Sequence, residues 1–296
     1  GNNTSVGPYS MTSNTTGAGN VAVGIQALCS NTTASNSVAV GLDALKSNTT
    51  GSGNTAVGGG NALDNNTEGA NNVAVGNNAL DAKTTADDNT ALGAGALFKN
   101  TTGCQNTSIG RKSLFCQTTA NNNVAVGFSA GRKTTTGAGN TTVGTNAGCN
   151  LTTGSNNQFF GDIAGTDPVR NTAAGDNEIV IGNNSNTSAF IKIDWTVTSD
   201  LRDKTEIKNI THGLDFVNKI TPIEYKFKKS REDETPSGLT KYGFKAQEIL
   251  ELEGDNPVII NNEDKENLKL TNAHLVPVLV NAIKELTKKV KDLEDK

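Results

Sequence analysis

A glycine returns every seventeen residues through the first two-thirds of this chain. Gly7, Gly24, Gly41, Gly58, Gly76, Gly93, Gly110, Gly127, Gly144, Gly161 and Gly182 each close a triplet of the Val-Ala-Val type. The steps are 17 except for one of 18 between Gly58 and Gly76 and a last one of 21 before Gly182. A fixed period of this length marks stacked supersecondary units, and an irregular final unit is what a cap requires.

One unit reads Asn54-Thr55-Ala56-Val57-Gly58, then Asn61-Ala62-Leu63, then Asn65-Asn66-Thr67-Glu68-Gly69. Val21-Ala22-Val23, Val38-Ala39-Val40, Val73-Ala74-Val75 and Val124-Ala125-Val126 alternate β-branched and small residues, as short strands do. The following Gly permits a corner at positive φ. Asn-Thr-Thr-Gly segments at 14–17, 48–51 and 100–103 are turn chemistry. The Ala-Leu pairs, such as Ala27-Leu28 and Ala44-Leu45, supply the next inward contact. One unit buries too little to offset about 1–2 kcal/mol of backbone entropy per residue. Stacking is therefore obligatory. A β-solenoid or β-roll, or an intertwined trimeric β-helix, follows, with a narrow Val/Ala/Leu core that calls for lateral partners.

Composition is informative only after division. Residues 1–198 hold 9 Lys+Arg and 11 Asp+Glu, and residues 199–296 hold the remaining 17 and 19. Glycine falls 28 to 4 the other way, so two different physical objects meet near residue 198. The net charge of −4 argues against a nucleic-acid surface. No apolar run approaches the roughly 20 residues of a membrane span. The chain opens at Gly1 in mid-pattern, without a signal segment, and reads as part of something longer.

Residues 1–190 resemble the head repeats of trimeric autotransporter adhesins, and equally the Asn-Thr-Ala-Val-Gly-x-x-Ala-Leu repeats of phage and viral tail fibres. The resemblance implies a rigid shaft of three chains. It specifies architecture and leaves the ligand open. Asn14, Asn31, Asn48 and Asn100 begin formal Asn-x-Thr glycosylation triplets, but the favoured reading is turn residues copied by the repeat. Cys29, Cys104, Cys116 and Cys149 fall at mixed phases, with no Cys-x-x-Cys pair and only 2 His in the chain. They read as small free hydrophobes, with no metal site and no cofactor.

The second part begins after a junction at 191–198. Thr198-Ser199-Asp200-Leu201-Arg202-Asp203-Lys204 precedes an expected helix at 214–220 and a strand at 222–227. A charged loop follows over 228–240, then a short helix after Tyr242-Gly243-Phe244, and a strand at 257–260. The last stretch is an expected helix from near Thr271. Its residues Val276, Leu279, Ile283, Leu286, Val290 and Leu293 are spaced 3, 4, 3, 4 and 3. That is an a/d seam, read as a three-chain coiled coil over about 273–295. The competing reading is an amphipathic helix packed on its own domain. His212 reads as a helix-start residue, and Gln247 and Glu248 as structural. The fold expected for 199–296 is a small α+β domain ending in that long helix.

Ser199-Asp200-x-Arg202-x-Lys204, Pro222-x-x-Tyr225, Tyr242-Gly243-Phe244-x-Ala246-Gln247-Glu248 and Ala282-Ile283-Lys284-Glu285-Leu286 occur in that order. Together they resemble the intramolecular chaperone domain at the C-terminus of endosialidases and other phage tail spikes, which also occurs in myelin regulatory factors. The resemblance covers 198–296. It implies assisted trimerisation followed by self-cleavage, with a Ser–Lys dyad mapping to Ser199 and Lys204 and a cut at Ser199–Asp200.

Serine needs a base to become a nucleophile, and lysine serves only when neutral. Arg202 and Thr198 are candidate supporting residues, Arg202 through its charge. Positions five apart lie on opposite faces of a strand and about 140° apart on a helix. Ser199 and Lys204 therefore meet only if the chain turns between them, or if the lysine comes from another chain. A serine attacking its own carbonyl would close a four-membered ring, which keeps the Thr198–Ser199 bond open as the alternative cut.

The leading functional expectation is the end of a homotrimeric virion fibre or tailspike, made in the host cytoplasm, whose terminal chaperone frees itself once. The alternative is a trimeric adhesin that binds a host-surface glycan or receptor and does not cut. A membrane-tethered transcription factor is a weaker third reading.

Overall fold

The structure is a computed structural model that describes all 296 residues except 83, 168–169, 172, 184, 187–198, 229–230 and 264. It divides into two compact units, Gly1–Asn186 and Thr187–Lys296. The junction expected at 191–198, Thr198 included, lies outside the described residues.

The first unit is a parallel β-solenoid. Its 11-stranded sheet takes the strands in chain order, each pairing with the next coil. Register is strict: Val21 pairs with Val38, Val38 with Thr55, and Thr55 with Val73. The extra residue of the 18-residue coil is absorbed at the glycine run Gly58-Gly59-Gly60, where a Cβ on Gly59 would meet open space. The 21-residue step holds a small antiparallel ladder, Thr166–Asp167 against Arg170–Asn171. The sheet register survives both insertions.

The coil corners carry the conformational load. In one coil Gln26, Leu28 and Asn36 all lie at φ between 51° and 59°. Left-handed backbone costs a non-glycine residue roughly 1–2 kcal/mol. At the Leu28, Leu45, Leu63, Leu80, Leu97 and Leu114 positions the side chains are fully buried, worth about 1.5–3 kcal/mol each, and burial wins. After Leu114 the same slot becomes Gly131, Gly148 and Gly165, all at positive φ. Larger inner residues then fill the space. A Cβ on Gly148 would stand 2.7 Å from both Phe159 and Thr142.

Polar ladders line the rest of the interior. Asn20, Ser37, Asn54, Asn72, Asn89, Asn106, Asn123, Asn140 and Asn157 stack one per coil and are buried. The backbone N–H of Asn106 donates to Asn89 Oδ1 at 3.0 Å, and the Asn106 amide donates to Ala120 O at 2.9 Å. Each amide thus satisfies backbone groups of the neighbouring coils, as buried polar groups must. A second column runs through Asn14, Asn31, Asn48 and Asn66, linked at 2.7–3.2 Å. Asn31, Asn48 and Asn100 are fully buried, so in the folded coil these glycosylation triplets are turn and ladder residues.

The second unit packs Phe216, Ile249, Ile259, Ile260, Leu275 and Val278 into a small core. These come from α1 (Leu214–Val217), α2 (Ala246–Glu253), α3 (Asn272–Glu294) and the strand Ile260–Asn261 with Ile259 just before it, a strand that pairs with Lys269–Leu270. Ile223–Lys228 and Pro236–Gly243 form an antiparallel hairpin with a register shift between Tyr225 and Phe227. Half of the stretch expected as a charged loop is therefore strand. Two other expectations shorten: the helix at 214–220 ends at Val217, and the strand at 257–260 begins only at Ile260. In their place the Glu253 carboxylate accepts hydrogen bonds from the backbone N–H groups of Val258, Ile259 and Ile260. The long terminal helix is present. Leu275, Val278 and Ala282 form its buried face, and Val276, Leu279, Ile283, Leu286, Val290 and Leu293 are all exposed.

Candidate functional site

The chain turns between Ser199 and Lys204. A single 3-10 turn, Leu201–Asp203, does it. Asp200 caps that turn: its Oδ1 accepts from Arg202 N at 2.9 Å. Short polar side chains offer such local backbone bonds, which is why they start turns. The Arg202 guanidinium closes on the same carboxylate, Nη2 to Oδ2 at 2.6 Å. This pairing holds the Asp200 carboxyl below its usual range, chiefly through the Arg202 side chain and secondly through its backbone N–H.

The consequence for the two sequence-expected residues is direct contact. Lys204 Nζ lies 2.8 Å from Ser199 Oγ and 3.0 Å from Ser199 O. One amine touches the candidate nucleophile and also the carbonyl of the Ser199–Asp200 bond. Within the single chain, the turn brings the pair together. Both residues are exposed in the single chain.

Arg202, a candidate supporting residue, bonds the Asp200 carboxylate and so helps position the turn. The sequence signal was present as an aspartate two residues before an arginine at a turn start. Thr198 lies outside the described residues.

His212 is held at the start of α1, stacked on Phe216 with ring centroids 4.2 Å apart, and its carbonyl accepts from Asn281 Nδ2. Glu285 of α3 accepts from Leu214 N at 2.8 Å and caps α1 from across the domain. His212, Phe216 and Glu285 border a cavity of about 310 Å³ together with Asp215 and Lys219. Glu248 accepts from Thr221 Oγ1 at 2.8 Å and ties α2 to the start of the hairpin. The four cysteines are free and half-buried.

Residues 199–256 match a family model described as the chaperone of endosialidase, and that family is named as a peptidase family. The match begins on Ser199 itself and includes Lys204, the hairpin and α2. It supports a chaperone domain in the second unit and suggests self-cleaving peptidase activity. No curated protein and no solved structure matches the chain.

Proposed function

We propose that this chain belongs to a homotrimeric fibre of viral origin. Its second unit drives trimerisation and folding, then releases itself by cutting at Ser199. The observation that carries the proposal is the contact of Ser199 Oγ with Lys204 Nζ at the first residues of the chaperone match.

The chemistry is one turnover of acyl transfer. Neutral Lys204 takes the proton of the Ser199 hydroxyl, and the oxygen attacks a carbonyl carbon. Collapse breaks the peptide C–N bond, the proton passes to the leaving amine, and an ester remains. Water then hydrolyses the ester and restores the hydroxyl. Attack in the same chain reaches the Thr198 carbonyl. A cut at Ser199–Asp200, the favoured bond, uses Ser199 of a neighbouring chain, and Lys204 is already hydrogen-bonded to the carbonyl that would be attacked. Desolvation is the ordinary way to neutralise a lysine. Because the single chain exposes both residues, assembly would supply it.

Two apolar surfaces support a trimer. Val6, Leu92, Val143 and Phe160 each hold the third position of their strand, on the outward face of the sheet, and are all exposed. The a/d seam of α3 is exposed along its whole length. Continuous apolar stripes of this kind mark interaction surfaces. The proposed coiled coil is formed by that seam.

Expression of the chain beside its Ser199→Ala variant tests the proposal, with denaturing gels, fragment masses and native mass. A trimer that yields two fragments in the wild type and stays whole in the variant is expected. A lone monomer that cuts rapidly would refute the role of assembly.

A further inference from the structure

The solenoid carries a charge reversal along one corner. Residues 89–161 contain Lys99, Arg111, Lys112, Arg132 and Lys133 and no Asp or Glu. Earlier coils carry Asp43, Asp64 and Asp81 on the same run of six residues after the coil glycine. Asp64 and Asp81 are pushed up, first by burial. After Gly93, Gly110 and Gly127 that run holds phenylalanines and cations instead.

These side chains are organised by the repeat. Phe98 and Phe115 occupy the same position in successive coils and stack face to face, with centroids 4.9 Å apart and planes within 9°. Lys112 Nζ lies 5.9 Å from the centre of the Phe115 ring. Arg111 lies 5.8 Å from the centre of Phe128, which is 44% exposed on the next coil. Arg132 continues the Phe98–Phe115 column, and Lys99 and Lys133 lie beside that column, one residue further along their coils. Gly95 leaves the space beside Phe115 without a side chain: a Cβ there would stand 3.4 Å from that ring. The whole ledge spans three coils, about 10 Å along the axis at the usual strand spacing.

We infer that this ledge is a binding site for an acidic polysaccharide carrying carboxylates. Arginine and lysine recognise the carboxylates. The exposed part of Phe128 and the outer edge of the Phe98–Phe115 stack offer the apolar contact to the sugar rings, and the cations held over Phe115 and Phe128 set the spacing between apolar and charged contacts. The anionic field of the earlier coils confines a polyanion to this band. Five cations over three coils suit a short acidic oligosaccharide rather than a nucleic-acid backbone, which needs a longer basic track. The site belongs to the solenoid alone and stands whether or not the second unit cuts.

Titration of the full chain with polygalacturonate, followed by calorimetry, tests the site. Neutral dextran and oligo-dT of matched charge serve as comparison ligands. Saturable binding of polygalacturonate is expected. The Arg111→Gln/Lys112→Gln variant should weaken it at least tenfold, and Phe128→Ala by a similar factor, with unchanged melting temperatures. Lys46→Gln, outside the ledge, should leave it unaltered. No saturable binding would overturn the inference, and so would binding that ignores the Arg111/Lys112 change. Equal affinity for dextran would remove the role of charge. Equal affinity for oligo-dT with no effect of Phe128→Ala would reduce the ledge to plain polyelectrolyte capture and refute it.

Discussion

Lys204 reaches back over one 3-10 turn and touches Ser199 twice, 2.8 Å from its hydroxyl and 3.0 Å from its carbonyl oxygen. A single amine therefore addresses both partners of an acyl transfer, the hydroxyl that would attack and a carbonyl that could be attacked. The three substitutions at these positions separate chemistry from contact. Ser199→Ala and Lys204→Gln should both leave an uncut chain on a denaturing gel. Lys204→Arg keeps a cation and donors at the site but cannot become neutral, so it too should stay whole. Cutting at the wild-type rate in Lys204→Arg would exclude the lysine as base.

The turn between them is ionic. Asp200 has a lowered carboxyl pKa because it is bonded to Arg202. A carboxylate lowered in the folded state contributes stability above its unfolded value, and that contribution is lost as pH falls through the folded value. An NMR titration of Asp200 should accordingly give a midpoint below that of an ordinary aspartate, about 3.9. Arg202→Gln should move it back up. An unshifted midpoint in the wild type would mean the pairing does not persist in solution.

The ladder of inner asparagines sets the stability of the shaft. Asn123 accepts from Asn140 N at 2.8 Å and donates to Gln117 Oε1 at 2.9 Å and Gly137 O at 2.8 Å, all buried. Replacing it by Ala strands several buried polar groups, at about 1–3 kcal/mol each. Asn123→Ala should cost about 2–5 kcal/mol in chemical denaturation, whereas Thr119→Ala, on the outside, should stay within about 0.5 kcal/mol. Equal effects would mean the ladder adds nothing beyond turn propensity.

Two glycines give a sharper contrast. Gly110 sits at φ 127°, and a Cβ there would stand 2.4 Å from Gly127 O of the next coil. Gly110→Ala should destabilise by about 2–5 kcal/mol through strain and overpacking. Gly59→Ala, in the inserted residue's open space, should change little. A small effect at Gly110 would show that neighbouring coils can separate without penalty.

The exposed seam of α3 is separable from its buried face. Ile283 is 63% exposed, while Val278 and Ala282 pack inward. Ile283→Lys should lower the native mass from trimer toward monomer with little change in helical circular dichroism. A trimer of undiminished stability would rule out the coiled coil.

Much of this architecture is legible in the sequence because the repeat does two jobs at once. The Val-Ala-Val triplets and their glycines give strand, corner and register together, since a period of seventeen aligns every strand with its copy. The left-handed leucines are not legible, because Leu28 and its equivalents adopt a backbone that leucine disfavours and only stacking compensates. Pro236–Gly243 is likewise hidden: Gly238 and Lys241 interrupt any alternation, and its pairing with Ile223–Lys228 depends on a distant strand. The Ser199–Lys204 contact was conditional on a turn, and the capping of Arg202 N by Asp200 supplies that condition. The basic ledge escapes a reading of net charge, because the average over the chain cancels a local reversal.

The in-register coils also have an evolutionary consequence. Each coil bonds chiefly to the one before and the one after, through positions that the period keeps constant. The six corner residues after each coil glycine join that bonding mainly through their backbone, and their side chains already range from Asp43 to Phe128 without altering the strand pairing. Whole coils can be duplicated, deleted or exchanged between lineages while the scaffold stays intact. The outward vocabulary of such a solenoid can diversify with its interior held still.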